Sequence, residues 1–280
     1  MKTLSTILLT AFCISSCTQS AETAANSAQS EINSVTDSTT SAVAEKTTEA
    51  VEATTKVANK ASTAQSWEAS YQSILDDYVT SSGVNYSKLK SNGTPTLLKV
   101  TGAVSTTKAS GSKDDKLAYY LNAYNAWMLK KAIDAYPVSS LLETDSEIYK
   151  REDIVVGGKK MSLDYLENQI IRKEFPDARI HFALNCASGG CPPLHTKILT
   201  GDTLDTDLDA LTSKFLNGPG VENAGPSLKV SKLFEWFKVD FTRDSPDGTV
   251  LGFIKKYNKN VSGTPSLSYL DYSWKLNEIK

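Results

Sequence analysis

Apolar residues recur at regular spacings from Trp67 onward and do not before it. Trp67, Tyr71, Ile74, Leu75 and Tyr78 follow an i, i+4, i+7, i+8, i+11 pattern, which predicts a helix with one apolar face, ended by Gly83. A second helix is expected around 97–104. Residues 114–136 carry the clearest helical signal in the chain. Leu117, Leu121, Tyr124 and Met128 form a stripe, Asp114 and Asp115 suit the positive N-terminal end, and Pro137 stops the run. Gly157-Gly158 between two short extended runs predicts a tight hairpin, because such turns need positive φ. Ser162 is placed to cap a helix over 163–174.

Residues 180–185 alternate. Ile180, Phe182 and Leu184 fall on one side and His181, Ala183 and Asn185 on the other, which predicts a buried strand. Asp202 or Thr203 opens a helix with a Leu204, Leu208, Leu211, Phe215 stripe. A short strand over 228–230, an aromatic-rich helix from Ser231, an amphipathic helix over 249–259 and a last strand over 267–276 follow. Helices interleaved with few short strands predict an α+β domain, with several helices around a small, mostly antiparallel sheet.

Residues 18–66 contain no aromatic residue, Leu, Gly or Pro and are rich in Ala, Ser, Thr and Glu. Such a segment buries too little apolar surface to fold alone, so a disordered or weakly helical tether is expected. Its valines make no clean heptad, which speaks against a coiled coil. Residues 1–17 have a basic start at Lys2, an apolar run over 4–14 too short to span a bilayer, and the ending Ile14-Ser15-Ser16-Cys17. This resembles a bacterial lipobox. It implies cleavage before Cys17 and acylation of it, hence a membrane-anchored cell-envelope lipoprotein. Thr18, rather than Asp, after the cysteine favours the outer membrane and its periplasmic face if the host is Gram-negative.

The chain has 280 residues and a formal net charge of -2. Residues 67–280 carry equal numbers of acidic and basic side chains, so nucleic acid is not an expected partner. Neither standard Gly-rich phosphate loop is present, so no nucleotide and no cofactor are expected.

Both histidines, His181 and His195, and both cysteines beyond the leader, Cys186 and Cys191, fall within 179–195. Four readings of that cluster stand side by side. An exported chain meets oxidising conditions, and Gly189-Gly190 lets Cys186 and Cys191 approach as a disulfide. Alternatively Cys186 is a nucleophile with His181 as acid–base group, and Asn122, Asn125 or Asn185 orients a group or donates to an oxyanion. That pairing requires the chain to turn at Asn185 or Cys186. A zinc site made of the four residues has unusual spacing, and no metal is expected. Last, the cysteines are free buried hydrophobes and His181 a paired core residue. Asn122 and Asn125 share a helix face and need partners; pinning a neighbouring loop through backbone bonds is the plain structural alternative. The late aromatics Phe234, Trp236, Phe237, Tyr269, Tyr272 and Trp274 are either core or a ligand groove.

Several segments together carry a family resemblance. L-N-A-Y-N at 121–125, S-L-D-Y-L-E at 162–167, H-F-A-L-N-C-A-S-x-x-C-P-P at 181–193, S-K-L-F-E-W-F at 231–237 and Y-x-W-x-L-N at 272–277 resemble the DUF547 family in order. The likeness covers essentially all of 67–280 and implies a domain of that type. The family carries no assigned activity. Two positions depart from its pattern: Asn168 stands where His is frequent, and Ser273 where Asp is frequent. His195 is not part of it. Two functions remain: a thiol-dependent acyl-transfer or hydrolase site, peptidase- or amidase-like, or a non-enzymatic envelope binding module with a Cys186–Cys191 disulfide. The partner is an envelope substrate or protein of unstated identity.

Overall fold

The long helix α3 (Lys113–Ala135) is the axis of the fold. Its start is fixed locally. Ser112 Oγ accepts from Asp115 N at 3.0 Å, and Asp115 accepts in return from Ser112 N at 2.9 Å. This reciprocal cap closes two of the otherwise unpaired first-turn donors. Leu117, Leu121, Tyr124 and Met128 are buried as the stripe predicts. Helices α1 (Trp67–Tyr78) and α2 (Thr94–Thr106) precede it, α1 packing on α2 and α2 on α3. Trp67 meets Tyr119 of α3 edge-on, with ring centroids 6.0 Å apart.

The structure, a computed structural model, describes residues 66–224 and 226–280. The leader, Cys17 and nearly all of the 18–66 tether lie outside the described residues. Among the described residues no helix is long and apolar enough to cross a membrane.

α1 ends at Tyr78, before Gly83, in a two-residue pair of strands, β1 (Val79–Thr80) and β2 (Gly83–Val84). Gly83 has φ 151°, and a Cβ there would fall 2.4 Å from the Asn277 carbonyl oxygen, so glycine is required. The hairpin β3 (Ile154–Val156) to β4 (Lys159–Met161) pairs Ile154 with Met161 around Gly157-Gly158, both at positive φ. Residues 163–174 form α4, a helix that widens to a π-type turn over Leu166–Ile171; Ser162 Oγ caps it by accepting from Tyr165 N.

Helix α5 (Leu204–Leu216) leads to a three-stranded sheet. In it β5 (Val221–Ala224) runs antiparallel to β6 (Ser227–Val230), and β6 parallel to β7 (Ser266–Tyr269). Helices α6 (Lys238–Arg243) and α7 (Val250–Tyr257) lie between β6 and β7. The architecture is α+β, with small sheets that are antiparallel except for that one pair.

Two apolar clusters form. One gathers α1, α2 and α3 with Ile154, Leu163 and Leu184. The other is rich in phenylalanine, with Phe182, Phe215, Phe234, Phe241 and Phe253 in ring contact.

Two expected strands are corrected. Residues 180–185 form no strand; Ala178–Phe182 is a 3-10 turn. Asp177 begins it by accepting from Arg179 N at 2.9 Å, and among the described residues no neighbouring strand offers a ladder. All six residues from Ile180 to Asn185 are buried, but a strand exists only where a partner pairs its backbone. The last strand ends at Tyr269. Beyond it the tail turns to other partners: Gly189 N donates to Lys275 O at 2.7 Å, Gly190 N to Ser273 O at 2.8 Å, and Ile279 N to Val84 O at 3.0 Å.

Candidate functional site

The loop that follows the 3-10 turn is clamped by side-chain amides. Asn125 on α3 donates to Ala183 O at 2.8 Å and accepts from Asn185 N at 2.9 Å. One turn earlier Asn122 donates to Leu199 O at 2.8 Å and accepts from Leu199 N at 3.1 Å. A primary amide copies the donor–acceptor pair of a peptide group, so each asparagine replaces a missing ladder partner. Asn185 turns the chain: it donates to Pro192 O at 2.9 Å and accepts from Ala187 N at 3.0 Å. Ala187 sits at φ 59°, a left-handed conformation that this bracket holds in place.

Within this loop Cys186 and Cys191 are joined by a disulfide, with Cα atoms 6.1 Å apart. The Tyr272 hydroxyl, delivered by the tail, lies 2.9 Å from Ser188 Oγ, 3.1 Å from Cys186 Sγ and 3.3 Å from Cys191 Sγ. Burial pushes its pKa up to about 12, so it stays protonated. Gly190 permits the approach, since a Cβ there would be 2.7 Å from the Tyr272 ring. Tyr149 donates to Cys186 O at 2.9 Å.

The disulfide edges a cleft of about 300 Å³, at the small end of ligand sites. Tyr124 and Leu184 line it from the first apolar cluster, Leu233 and Phe237 from beside the second. Trp236, Tyr272 and Trp274 stand together, with centroid separations of 4.8, 4.6 and 5.9 Å. Trp236 is 46 % and Trp274 42 % exposed, so both rings face solvent and cleft rather than core. Phe234 is fully buried, and Tyr269 carries Lys232 over its ring at 5.0 Å. The six late aromatics therefore divide between core, surface and cleft.

Two charged centres border the cleft. His181 is buried and stacks on Phe237 at 4.0 Å between centroids. Its Nε2 lies 2.8 Å from Asp240 Oδ2, an acceptor-only carboxylate, so Nε2 carries the proton and donates. Arg172 Nε donates to the same oxygen at 2.8 Å. Burial opposes the Asp240 charge, yet the bonds from His181 and Arg172 outweigh it and hold the carboxyl well below the usual range. Burial pushes the His181 imidazole down, against the pull of Asp240, so it is neutral at pH 7.

Glu167 on α4 opens partly to the cleft and is otherwise surrounded by protein. Burial raises its pKa to about 7, against the Tyr124 hydroxyl bond and the more distant Arg172 charge. It is half-ionised near neutrality, and no ion pair among the described residues includes it.

The sequence candidates are thus distributed. Cys186 and His181 line the same cleft, Cys186 tied to Cys191 and His181 turned to Asp240. Asn122, Asn125 and Asn185 hold backbone. His195 lines a separate cavity of about 170 Å³, and its buried Nε2 has no partner among the described residues. Among the described residues no group of three or more His, Cys, Asp or Glu is placed to hold a metal. Glu167 and Asp240 were not singled out from sequence. An acid inside an apolar helix stripe, Asp240 among Phe234, Phe237 and Phe241 above all, was the signal available.

Residues 108–216 match the family model described as "Protein of unknown function, DUF547", which supports the resemblance read from the motifs. That span holds α3, Glu167, His181 and both disulfide cysteines; Asp240, Trp236, Tyr272 and Trp274 lie beyond it. No curated protein and no solved structure matches the chain.

Proposed function

We propose that the folded part of the chain is a ligand-binding module of the cell envelope, with the Cys186–Cys191 disulfide as a staple in the wall of its cleft. The carrying observation is the state of the two groups a thiol mechanism needs. The Cys186 sulfur is bonded to Cys191, and the His181 proton points at Asp240 rather than at sulfur. What remains open in the cleft is a concave aromatic surface with two carboxyls, Asp164 and Glu167, which suits recognition. The leader, read as ending in an acylated Cys17, would hold this module at a membrane on the 18–66 tether, on the periplasmic face of an outer membrane where the host has one.

The test is peptide mass spectrometry of the native full-length protein, labelled with iodoacetamide without reductant. The expected product is a cross-linked Cys186–Cys191 peptide. Rapid alkylation of Cys186 in unreduced protein would overturn the staple. For the anchor, palmitate label is expected on the wild-type chain and absent from Cys17→Ala; an unlabelled wild-type chain would overturn it.

One observation favours the second reading, thiol-dependent acyl transfer of peptidase or amidase type: Cys186 and His181 share a cleft. It requires a reduced Cys186 whose thiolate attacks an acyl carbon while the imidazole passes the proton to the departing amine. Turnover of an amide substrate only with reductant, and none in Cys186→Ser, is its signature.

A further inference from the structure

We infer that the cleft receives an alkylammonium group, seated between the Trp236–Tyr272–Trp274 wall and the Glu167 carboxyl. The inference rests on the ligand-binding reading and names the chemistry of the ligand.

Three observations carry it. The first is the wall. Six rings line the cleft: Tyr124, Tyr149, Trp236, Phe237, Tyr272 and Trp274. The faces of aromatic rings are electron-rich and attract cations, indole most strongly. Phe237 already holds a cation in this way, with the Arg172 guanidinium 4.8 Å over its ring. Trp236 and Trp274 are the largest rings of the group, and they remain substantially exposed.

The second is the sign of charge. Asp164 and Glu167 both line the cleft. Of the basic side chains nearby, Arg172 is engaged by Asp240, Asn168 and Phe237. Lys150 stands at the rim, 67 % exposed and paired with Glu147 at 3.3 Å. His181 is uncharged. The charge left facing the cleft is negative.

The third is the Glu167 carboxyl itself. Its ionised form has one hydroxyl donor, from Tyr124, and no cation at contact distance among the described residues. A carboxylate so placed is costly unless a cation joins it. An alkylammonium group supplies that cation while its methyl or methylene groups meet the rings. A neutral sugar would meet the rings but leave the charge uncompensated.

Binding is therefore linked to ionisation of Glu167. The groups facing it are Tyr124 from α3, Asp164, Asn168 and Arg172 from α4, Asp240 from α6, Tyr149 and Lys150 from the loop before β3, and Tyr272 from the tail. His181 also lines the cleft, its proton turned away from it to Asp240. Asp240 is ionised and the tyrosines are protonated throughout pH 5.5–8, and Glu167→Gln isolates the contribution of Glu167 from that of the imidazole. With its pKa at about 7, a cation bound at pH 5.5 must first displace a proton. Affinity should fall roughly tenfold or more from pH 8 to pH 5.5.

The experiment is titration of the full-length protein, followed by tryptophan fluorescence and calorimetry. The probes are choline, n-butylamine, the neutral choline isostere 3,3-dimethylbutanol, and glucose. Vesicles of phosphatidylcholine against phosphatidylglycerol separate a lipid headgroup from a soluble amine as the source of the charge. The expected result is saturable binding of an ammonium probe, at least tenfold tighter than the isostere at pH 8. Glu167→Gln should remove both the preference and the pH dependence, and Trp274→Ala, at an exposed site, should weaken binding without loss of fold. Equal affinity for choline and dimethylbutanol, binding of glucose in place of the amines, or an unchanged Glu167→Gln would overturn the inference and leave a binding module standing. Silence from both amines and their vesicles overturns it as well. The binding-module reading is decided separately, by the oxidation state of Cys186.

Discussion

Two polar centres flank the loop that holds the disulfide, and they differ in how completely they are paired. At the asparagine clamp each amide meets backbone groups that lack a ladder partner, so Asn122 and Asn125 use both donor and acceptor. At the cleft, Asp240 accepts from neutral His181 and is paired with the Arg172 charge, while Glu167 has a hydroxyl and no contacting cation among the described residues. Both centres place polar atoms among aromatics. A buried polar residue is evidence of architecture when its bonding capacity is used up inside the chain. It points to a ligand when some of that capacity faces a cavity.

The largest effect is expected at the clamp. Asn125→Leu keeps the volume but leaves the Ala183 carbonyl and Asn185 N–H unpaired. A loss of about 3–4 kcal/mol is expected in urea unfolding, from roughly 1–3 per buried group. A loss under about 1 would mean that the loop does not depend on the clamp. Asp240→Ala should cost about 3 kcal/mol at pH 7, since it strands a buried imidazole and a partly buried guanidinium. The sign follows from its lowered pKa. The stability is present above the unfolded value near 4 and is lost as pH falls below it, so the difference between variant and wild type should shrink in acid.

Removing both sulfurs, Cys186→Ala with Cys191→Ala, should cost roughly 2 kcal/mol, because so short a loop restricts the unfolded chain little. Reductant should lower the wild type to the same level. If reductant changes nothing, the staple is absent.

Glu167→Gln tests the other side. Its carboxyl has a raised folded pKa, so wild-type stability is full below about 4.5 and falls as pH rises through about 7. The variant should be more stable than wild type by on the order of 1–2 kcal/mol at pH 8.5, and equal to it at pH 4, in paired denaturation curves. A variant that is less stable at high pH would place Glu167 with the fully paired centre. The smallest effect is expected at Trp274→Ala, within about 0.5 kcal/mol, as for an exposed side chain. A larger loss would make Trp274 a packing residue.

Much of the scaffold was legible in the sequence. The capped α3, the Gly157-Gly158 hairpin and the Thr249-capped α7 are all specified by residues within a few positions of one another. The 180–185 segment was not, because an alternation of side-chain types suits both a strand and a buried turn that packs on every side. Pairing alone separates them, and the pairing comes from Asn125, 58 and 60 residues away. The cleft was partly visible. Trp236, Tyr272 and Trp274 were among six late aromatics that read as either core or groove, whereas Glu167 sat inconspicuously after Ser162 in a capped helix.

Local sequence specifies where helices start, where the chain turns tightly, and that the reactive residue types gather within 179–195. Those features arise from backbone preference, capping and periodicity, which act over a turn or two. Tertiary structure decided what the reactive residues became. It turned His181 to Asp240, joined Cys186 to Cys191, set three asparagines to holding backbone and left Glu167 facing an aromatic cleft. Desolvation and hydrogen-bond partnership are set by neighbours distant in the chain, and no local pattern of residues encodes them.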